Sequence, residues 1–382
     1  MTRIAVGWAS LSCVIPLYPL YALLFADTGL SDADISVLFV IWSGVGIVAE
    51  VPMGALADRF SRRHAVVASG LAQAAGYTLW TALPGFAGFA CGFVLWGLGG
   101  ALASGALEAL VYDGLTATGA QNRYARVLGW ITAAQELAQL PNAAAATVLF
   151  AVGGYPLVGW VSVGMCLCAA AVATRLPEAP HASDASDDPG YFATLRDGVR
   201  EAAARPAVRG AIVAVALLGG IDAFEEYVSL LVHHWGVPVA AIPFAVLIVP
   251  VAAAAGAALG GRHGRLRTGA LAALLAAGAV ALGATGWLHH PVGVLGVGVF
   301  YGLYRFVLLI ANARLQHRIA GSARATVTSV AELGTEFTCL LVYAAWALDG
   351  VTGVAALVLV TAVALPWCLS ASRATRRRRS TR

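Results

Sequence analysis

Three carboxylates fall within five positions of an otherwise apolar run: Asp222, Glu225 and Glu226 in Leu217-Leu-Gly-Gly-Ile-Asp-Ala-Phe-Glu-Glu-Tyr-Val. Spacings of three and four place Asp222 beside the other two on one side of a helix. A second apolar run carries one cation, Arg305, beside Tyr304 and four residues from Tyr301. Further acids interrupt other apolar runs: Glu50, Glu108, Glu136, and the pair Glu332 and Glu336 one turn apart. Ionisable side chains at membrane depth are costly, and they mark pathways or proton relays. Carboxylates desolvated together do not all keep their charge, so such a cluster is suited to taking up and releasing a proton. Arg305 is the natural partner of Asp222 or Glu226. Glu50, Glu136, Glu332 and Glu336 also admit a plainer role, as interface carboxylates paired with Arg or satisfied by backbone and amide neighbours.

Other chemistry is excluded by what the chain lacks. All 24 basic residues are Arg, which removes a P-loop and any Lys Schiff base. The six Cys lie in apolar runs without a CxxC, and they read as small buried hydrophobes. No HExxH, GxSxG or metal-spaced Cys/His set occurs. His233-His234 and His289-His290 read as polar markers at helix ends. An enzyme, a metal and a cofactor are therefore not expected.

The elements that position the acids follow from composition. Of 382 residues, 59% are apolar and 12% charged, with a mean hydropathy of +0.79. Soluble domains run at about 45–50% and about 25%. This is an all-α membrane protein. A window of roughly 20 apolar residues gives twelve spans, at 4–25, 34–57, 65–83, 86–112, 127–151, 154–175, 209–233, 238–260, 269–288, 291–316, 326–348 and 350–371. The first is read as a span and not a signal peptide, because its apolar run is long and lacks a small-residue cleavage motif.

Connections at 58–64, 114–126, 176–209, 262–268 and 317–325 carry Arg, whereas the intervening ones carry none. The positive-inside rule places the Arg-bearing set and both termini in the cytoplasm, which an even span count requires. Arg373 and Arg376–Arg379 suit an anionic inner leaflet better than nucleic acid. Trp80, Trp235, Trp287 and Trp346 fall near the other ends of their spans, where an aromatic belt is expected.

The chain divides into an N-terminal six-helix bundle at 1–175, a cytoplasmic linker at 176–208, a C-terminal six-helix bundle at 209–372 and a basic tail at 373–382. Positions 178–190 have linker composition, and 191–204 has the spacing of a short amphipathic surface helix. Glycines four apart (Gly88/Gly92, Gly256/Gly260, Gly298/Gly302) suit close helix packing. A weak repeat relates the connection after span two, Gly54-Ala-Leu-Ala-Asp58-Arg59-Phe-Ser61-Arg62-Arg63, to that after span eight, Gly261-Arg262-His-Gly264-Arg265-Leu-Arg267.

The first of these connections, with Glu50-Val-Pro52 leading into it, resembles the loop signature of the major facilitator superfamily. Ser61 stands where that family usually has Gly, and Gly261 replaces the Asp in the second copy. Gly105–Asp113 and Arg324–Ser329 are similar to a bacterial branch of it. The resemblance implies two parallel repeats around a central site, with spans one, four, seven and ten lining a cavity. Tyr18, Tyr21, Tyr304 and Arg305 are then the substrate-cavity candidates, and Glu108, Asp222, Glu225 and Glu226 the proton-coupling candidates.

It also implies a conformational latch of Gly54, Asp58, Arg59, Arg62, Arg63 and Asp113, with Asp58 against the start of span eleven. The expected activity is secondary transport of a small organic solute across the cytoplasmic membrane by a monomer. Proton-driven efflux of an amphiphilic or drug-like compound stands first, and proton-coupled import of a nutrient is the alternative. The Gly-Pro-rich helix-five signature of drug exporters is absent, and so is their Arg in helix four. A membrane receptor without transport would ordinarily carry an added cytoplasmic domain, and here the longest connection is 176–209.

Overall fold

The computed structural model describes residues 2–104, 106–178, 206–262, 266–318 and 324–370. The linker beyond Glu178, the amphipathic segment expected at 191–204 and the basic tail lie outside them. The described residues are helical, joined by short turns. In order they form α1 (Thr2–Ser12), α2 (Tyr21–Asp27), α3 (Asp32–Phe60), α4 (Arg62–Ala82), α5 (Phe86–Ala103), α6 (Ala106–Thr116) and α7 (Tyr124–Ala173). After the linker come α8 (Pro206–Gly220), α9 (Glu225–His234), α10 (Ile242–Ala245), α11 (Ile248–Arg262), α12 (Thr268–Leu288), α13 (Gly293–Arg318) and α14 (Arg324–Ser370).

Seven of the helical stretches are long and apolar enough to cross a membrane. Charge and breaks account for others that fall short. The run from 206 to 234 carries three acids, α4 opens on Arg62-Arg63-His64, and the first run breaks after Ser12 near Pro16 and Pro19. Large apolar side chains lie open on the surface, among them Val48 at 74%, Val152 at 76% and Leu348 at 86% exposure. Water would penalise such a surface, and lipid does not.

The contacts divide the chain into two units: Met1–Ser183 with Val237–Leu247, and Asp184–Gly236 with Ile248–Arg382. Each repeats one packing scheme. In unit 1, α1 packs on α7, α3 on α5, and α4 on both α5 and α7; in unit 2, α8 packs on α14, α11 on α13, and α12 on both α13 and α14. The two long helices break at matching places. In α7 Gly154 has φ 59°, and in α14 Gly350 has φ 55°, a left-handed value that glycine adopts without strain. Within unit 1, α10 packs on α7 and on the Tyr18–Leu20 turn.

The glycine pairs show their reason most plainly in unit 2. A Cβ on Gly256 would sit 2.0 Å from the Gly302 carbonyl oxygen, so α11 and α13 cross backbone to backbone. In unit 1 a Cβ on Gly92 would meet Trp80 Nε1 at 2.1 Å, while Gly88 abuts Leu83 of its own turn and not a neighbouring helix.

Two sequence expectations are corrected. Trp80, Trp235 and Trp346 are core residues, at most 4% exposed, and only Trp287 lies on the surface, at 84%. The Trp80 indole N–H donates to the Phe89 carbonyl at 3.0 Å, which explains why that ring is inside. Among the cysteines, only Cys166 is buried, whereas Cys91 and Cys168 are exposed; in a bilayer an apolar thiol needs no core to hide in.

Candidate functional site

In unit 2 the residues from 206 to 234 do not form one continuous helix. α8 ends on Gly219-Gly220, Ile221–Phe224 tightens into a 3-10 turn, and α9 begins at Glu225. The glycines bring α8 onto α14: a Cβ on Gly220 would lie 2.3 Å from Thr338 Cβ and 2.7 Å from the Cys339 nitrogen. Asp222 lies in the tightened turn. Arg305, midway along the 26-residue α13, donates from Nη2 to both Asp222 carboxylate oxygens at 2.8 Å. The sequence left Asp222 and Glu226 open as partners, and the structure pairs Arg305 with Asp222. Neither side chain is sealed away, at 32% exposure for Arg305 and 37% for Asp222.

Aromatic rings seat the cation. Arg305 Cζ lies 5.6 Å from the Tyr304 ring centroid, within cation–π range. Tyr304 stacks on Phe300 at 5.8 Å and is fully buried, as is Tyr301. Tyr304 thus supports the pair from behind and has no surface of its own. Glu225 and Glu226 are half-buried in the first turn of α9, where a helix tolerates negative charge best. Glu332 is exposed and Glu336 half-buried on α14.

In unit 1 the first span is interrupted between Ser12 and Tyr18. The Leu17 N–H freed by this break donates to Ser162 Oγ at 2.9 Å, and that hydroxyl donates on to the Val158 carbonyl at 2.8 Å. Tyr18 emerges half-buried, 6.2 Å from Trp96. Tyr21, expected at a cavity, is 2% exposed. It is walled in by Phe25, Phe39, Trp80 and Phe93 at 5.4–6.1 Å, so ring packing makes it core. The fourth span also breaks, at Ser104, whose hydroxyl donates to Glu50 Oε1 at 2.7 Å. Glu108 is exposed in the first turn of α6, and Glu136 is exposed on α7.

At the connection between α3 and α4, a single residue, Ser61, separates the helices, in an extended conformation (φ −176°, ψ 123°). Arg62 and Arg63 therefore belong to the first turn of α4, where the helix dipole disfavours cations. Carboxylates offset this. Arg62 Nη1 pairs with Asp113 on α6, and Arg63 Nε lies 3.9 Å from Glu178. Ser61 Oγ donates to Glu178 Oε2 at 2.7 Å and accepts from the His64 N–H at 3.1 Å. Gly54 and the exposed Arg59 lie on α3. The Asp58 side chain, and with it the expected latch onto span eleven, lies outside the described residues.

Glu178, which its composition grouped with the linker, is held against the α3–α4 connection by Ser61 and Arg63. The signal available was an acid just beyond the last apolar residue of a span, on the side of the Arg-bearing connections. In unit 2 the matching tie has reversed polarity. Arg314 of α13 donates to the Leu266 carbonyl and to Thr268 Oγ1, beside the connection after span eight. Among the described residues there is no cluster that could hold a metal.

The sequence model of the Major Facilitator Superfamily matches residues 4–343. No curated protein matches the sequence. Among solved structures, the nucleoside transporter NupG is similar at 14% identity, with 97% of this chain and 98% of that one covered and a TM-score of 0.72. Its D323A mutant is similar at 15% identity, over 98% and 99%, with a TM-score of 0.70. A D-xylose-proton symporter is similar at 15% identity, over 95% of each chain, with a TM-score of 0.67.

Proposed function

The chain belongs to the major facilitator superfamily, and from that premise we propose that it is a proton-coupled carrier of a small organic solute in the cytoplasmic membrane, with twelve spans and both termini inside. The observation that carries the proton assignment is the Asp222–Arg305 pair: an acid and a cation in contact at 2.8 Å, midway along their helical stretches, and each about one-third exposed. Protonation of Asp222 discharges the acid and releases Arg305 Nη2; loss of the proton restores the pair. A carboxylate that alternates between these states exchanges a proton with whichever side of the membrane it faces.

Two directions follow from one pair. In exchange, an amphiphilic cation and a proton compete for Asp222, Glu225 and Glu226, which gives export driven by the inward proton gradient. The carboxylates of unit 2 support this reading. In cotransport, solute and proton move inward together; the structural likeness to a D-xylose-proton symporter supports that second reading.

The test uses proteoliposomes with an imposed proton gradient and an internal pH dye, challenged with amphiphilic cations, sugars and nucleosides. Solute-dependent dissipation that Asp222→Asn abolishes is expected. Solute-driven flux with unchanged pH dependence in Asp222→Asn, Glu225→Gln and Glu226→Gln alike would overturn the proton assignment.

A further inference from the structure

We infer that Trp96, Trp42 and Tyr18 form a stacking platform on unit 1 for a planar aromatic ring of the carried solute, a reading that rests on the carrier function proposed above. The observations begin with α5, which presents two unlike faces. Ala87, Cys91 and Val94 form an exposed stripe, the apolar side suited to lipid. About 200° round the helix from Val94 runs a second stripe, Phe89, Phe93, Trp96 and Gly100. Along it exposure changes steadily: Phe89 and Phe93 are fully buried, Trp96 is half-buried and Gly100 is exposed. This face is sealed at one end by rings and opens from Trp96 onward.

Trp42 reaches the same place from α3. Its helix has its own exposed stripe at Val37, Val40 and Val48, and Trp42 lies about 140° from Val37, so its half-exposure belongs to another face. Gly97 brings the two helices together, since a Cβ there would meet Val45 Cγ1 at 2.8 Å and Trp42 Cδ1 at 3.4 Å. The Trp42 and Trp96 centroids are 5.0 Å apart, and Tyr18 lies 6.2 Å from Trp96. Behind them Phe93, 0% exposed, stacks on Trp42 at 6.0 Å. The three rings are thus the accessible edge of a fixed aromatic body, pre-ordered so that a ligand ring loses little entropy in ordering them.

The class is therefore a planar, π-rich ring, which gains ring-on-ring stacking with indole and phenol faces; the saturated ring of a sugar offers only C–H groups to the same faces.

The test is saturation-transfer NMR on the full-length protein in lipid nanodiscs. Adenosine serves as a neutral planar probe, berberine as a cationic one and D-xylose as a probe without an aromatic ring. Binding of at least one planar probe is expected, with the strongest saturation on its ring protons and none on D-xylose. Trp96→Ala should weaken it about tenfold or more, as loss of a stacking ring does, whereas Trp96→Phe, which keeps the ring and guards against misfolding, should cost only a few-fold. The two planar probes separate a neutral from a cationic ring. Failure of both to bind, or equal binding by wild type, Trp96→Ala and Trp42→Ala, would overturn the platform. Ring binding that depends on Trp96 in a protein without any flux would instead sink the carrier reading and leave the platform standing.

Discussion

Ser61 and Glu178, 117 positions apart in sequence, meet at 2.7 Å. The same Ser61 hydroxyl accepts from the His64 N–H at 3.1 Å, so one side chain starts α4 and anchors the acid that follows α7. A glycine here would keep the turn and lose both bonds. Ser61→Gly should therefore cost about 1 kcal/mol of stability, read as a lower thermal midpoint in detergent, with Ser61→Thr close to wild type.

Glu178 makes that connection sensitive to acid. Burial alone would raise its carboxyl, but the Ser61 hydroxyl, the Arg63 and Arg62 N–H groups and the Arg63 guanidinium together outweigh burial and hold it below the usual carboxylate range. A carboxyl lowered in the folded state adds stability above its unfolded value, about 4.3 for Glu, and loses it as pH falls through the folded value. Glu178→Gln should thus melt below wild type at pH 7, and the gap should close below about pH 4. A gap that widens on acidification would contradict the assignment.

Removing one member of the Asp222–Arg305 pair strands the other. Asp222→Ala alone should lower the thermal midpoint, by less than loss of a fully buried pair would because each partner is about one-third exposed, and stop solute-driven proton movement. Asp222→Asn with Arg305→Gln should recover most of the thermal stability and none of the coupling. A double variant that couples like wild type would show the pair to be structural.

Charge reversal tests the connection at Asp113. Arg62→Asp and Asp113→Arg should each lower flux several-fold, and their combination should restore a substantial part of it, as expected where coupling is pairwise. Equal losses in all three would place the effect on helix packing and not on the ion pair.

Gly256→Ala tests the backbone crossing. A Cβ 2.0 Å from the Gly302 carbonyl cannot be accommodated by rotating a side chain, so α11 and α13 must separate, at a cost of about 1–3 kcal/mol. Lower folded yield on size-exclusion chromatography is the readout. Gly261→Ala, whose Cβ would meet only Leu309 Cδ2 at 4.0 Å, an ordinary contact, is the control.

Much of this architecture was legible in hydropathy alone, because an apolar run of about 20 residues has few folded options in lipid. The helical runs follow from it, whereas the internal repeat and the family signature were carried by the Gly, Asp and Arg residues of the connections. The breaks were less visible. Ser104 carries no Pro, and the 3-10 turn at Asp222 comes straight after Gly219 and Gly220, whose close approach to Thr335 and Thr338 is a tertiary contact no local pattern encodes. The acids were legible as types, and Arg305 as a partner for Asp222 or Glu226; which of the two it takes is a contact across 83 positions that spacing alone does not decide. Tyr21 and Trp80 show the opposite failure, since amphipathic rings suit both an interface and a core, and only packing decides.

The two ties, Arg62 with Asp113 and Arg314 with the Leu266 carbonyl and Thr268, differ in what mutation can do to them. The first depends on two side-chain identities, so a single codon change at either position dissolves it. In the second, one acceptor is a peptide oxygen, present whatever residue stands at 266. The C-terminal half thus carries a tie that is robust to sequence drift at that position, whereas the N-terminal half carries one that drift can break and a compensating change can rebuild.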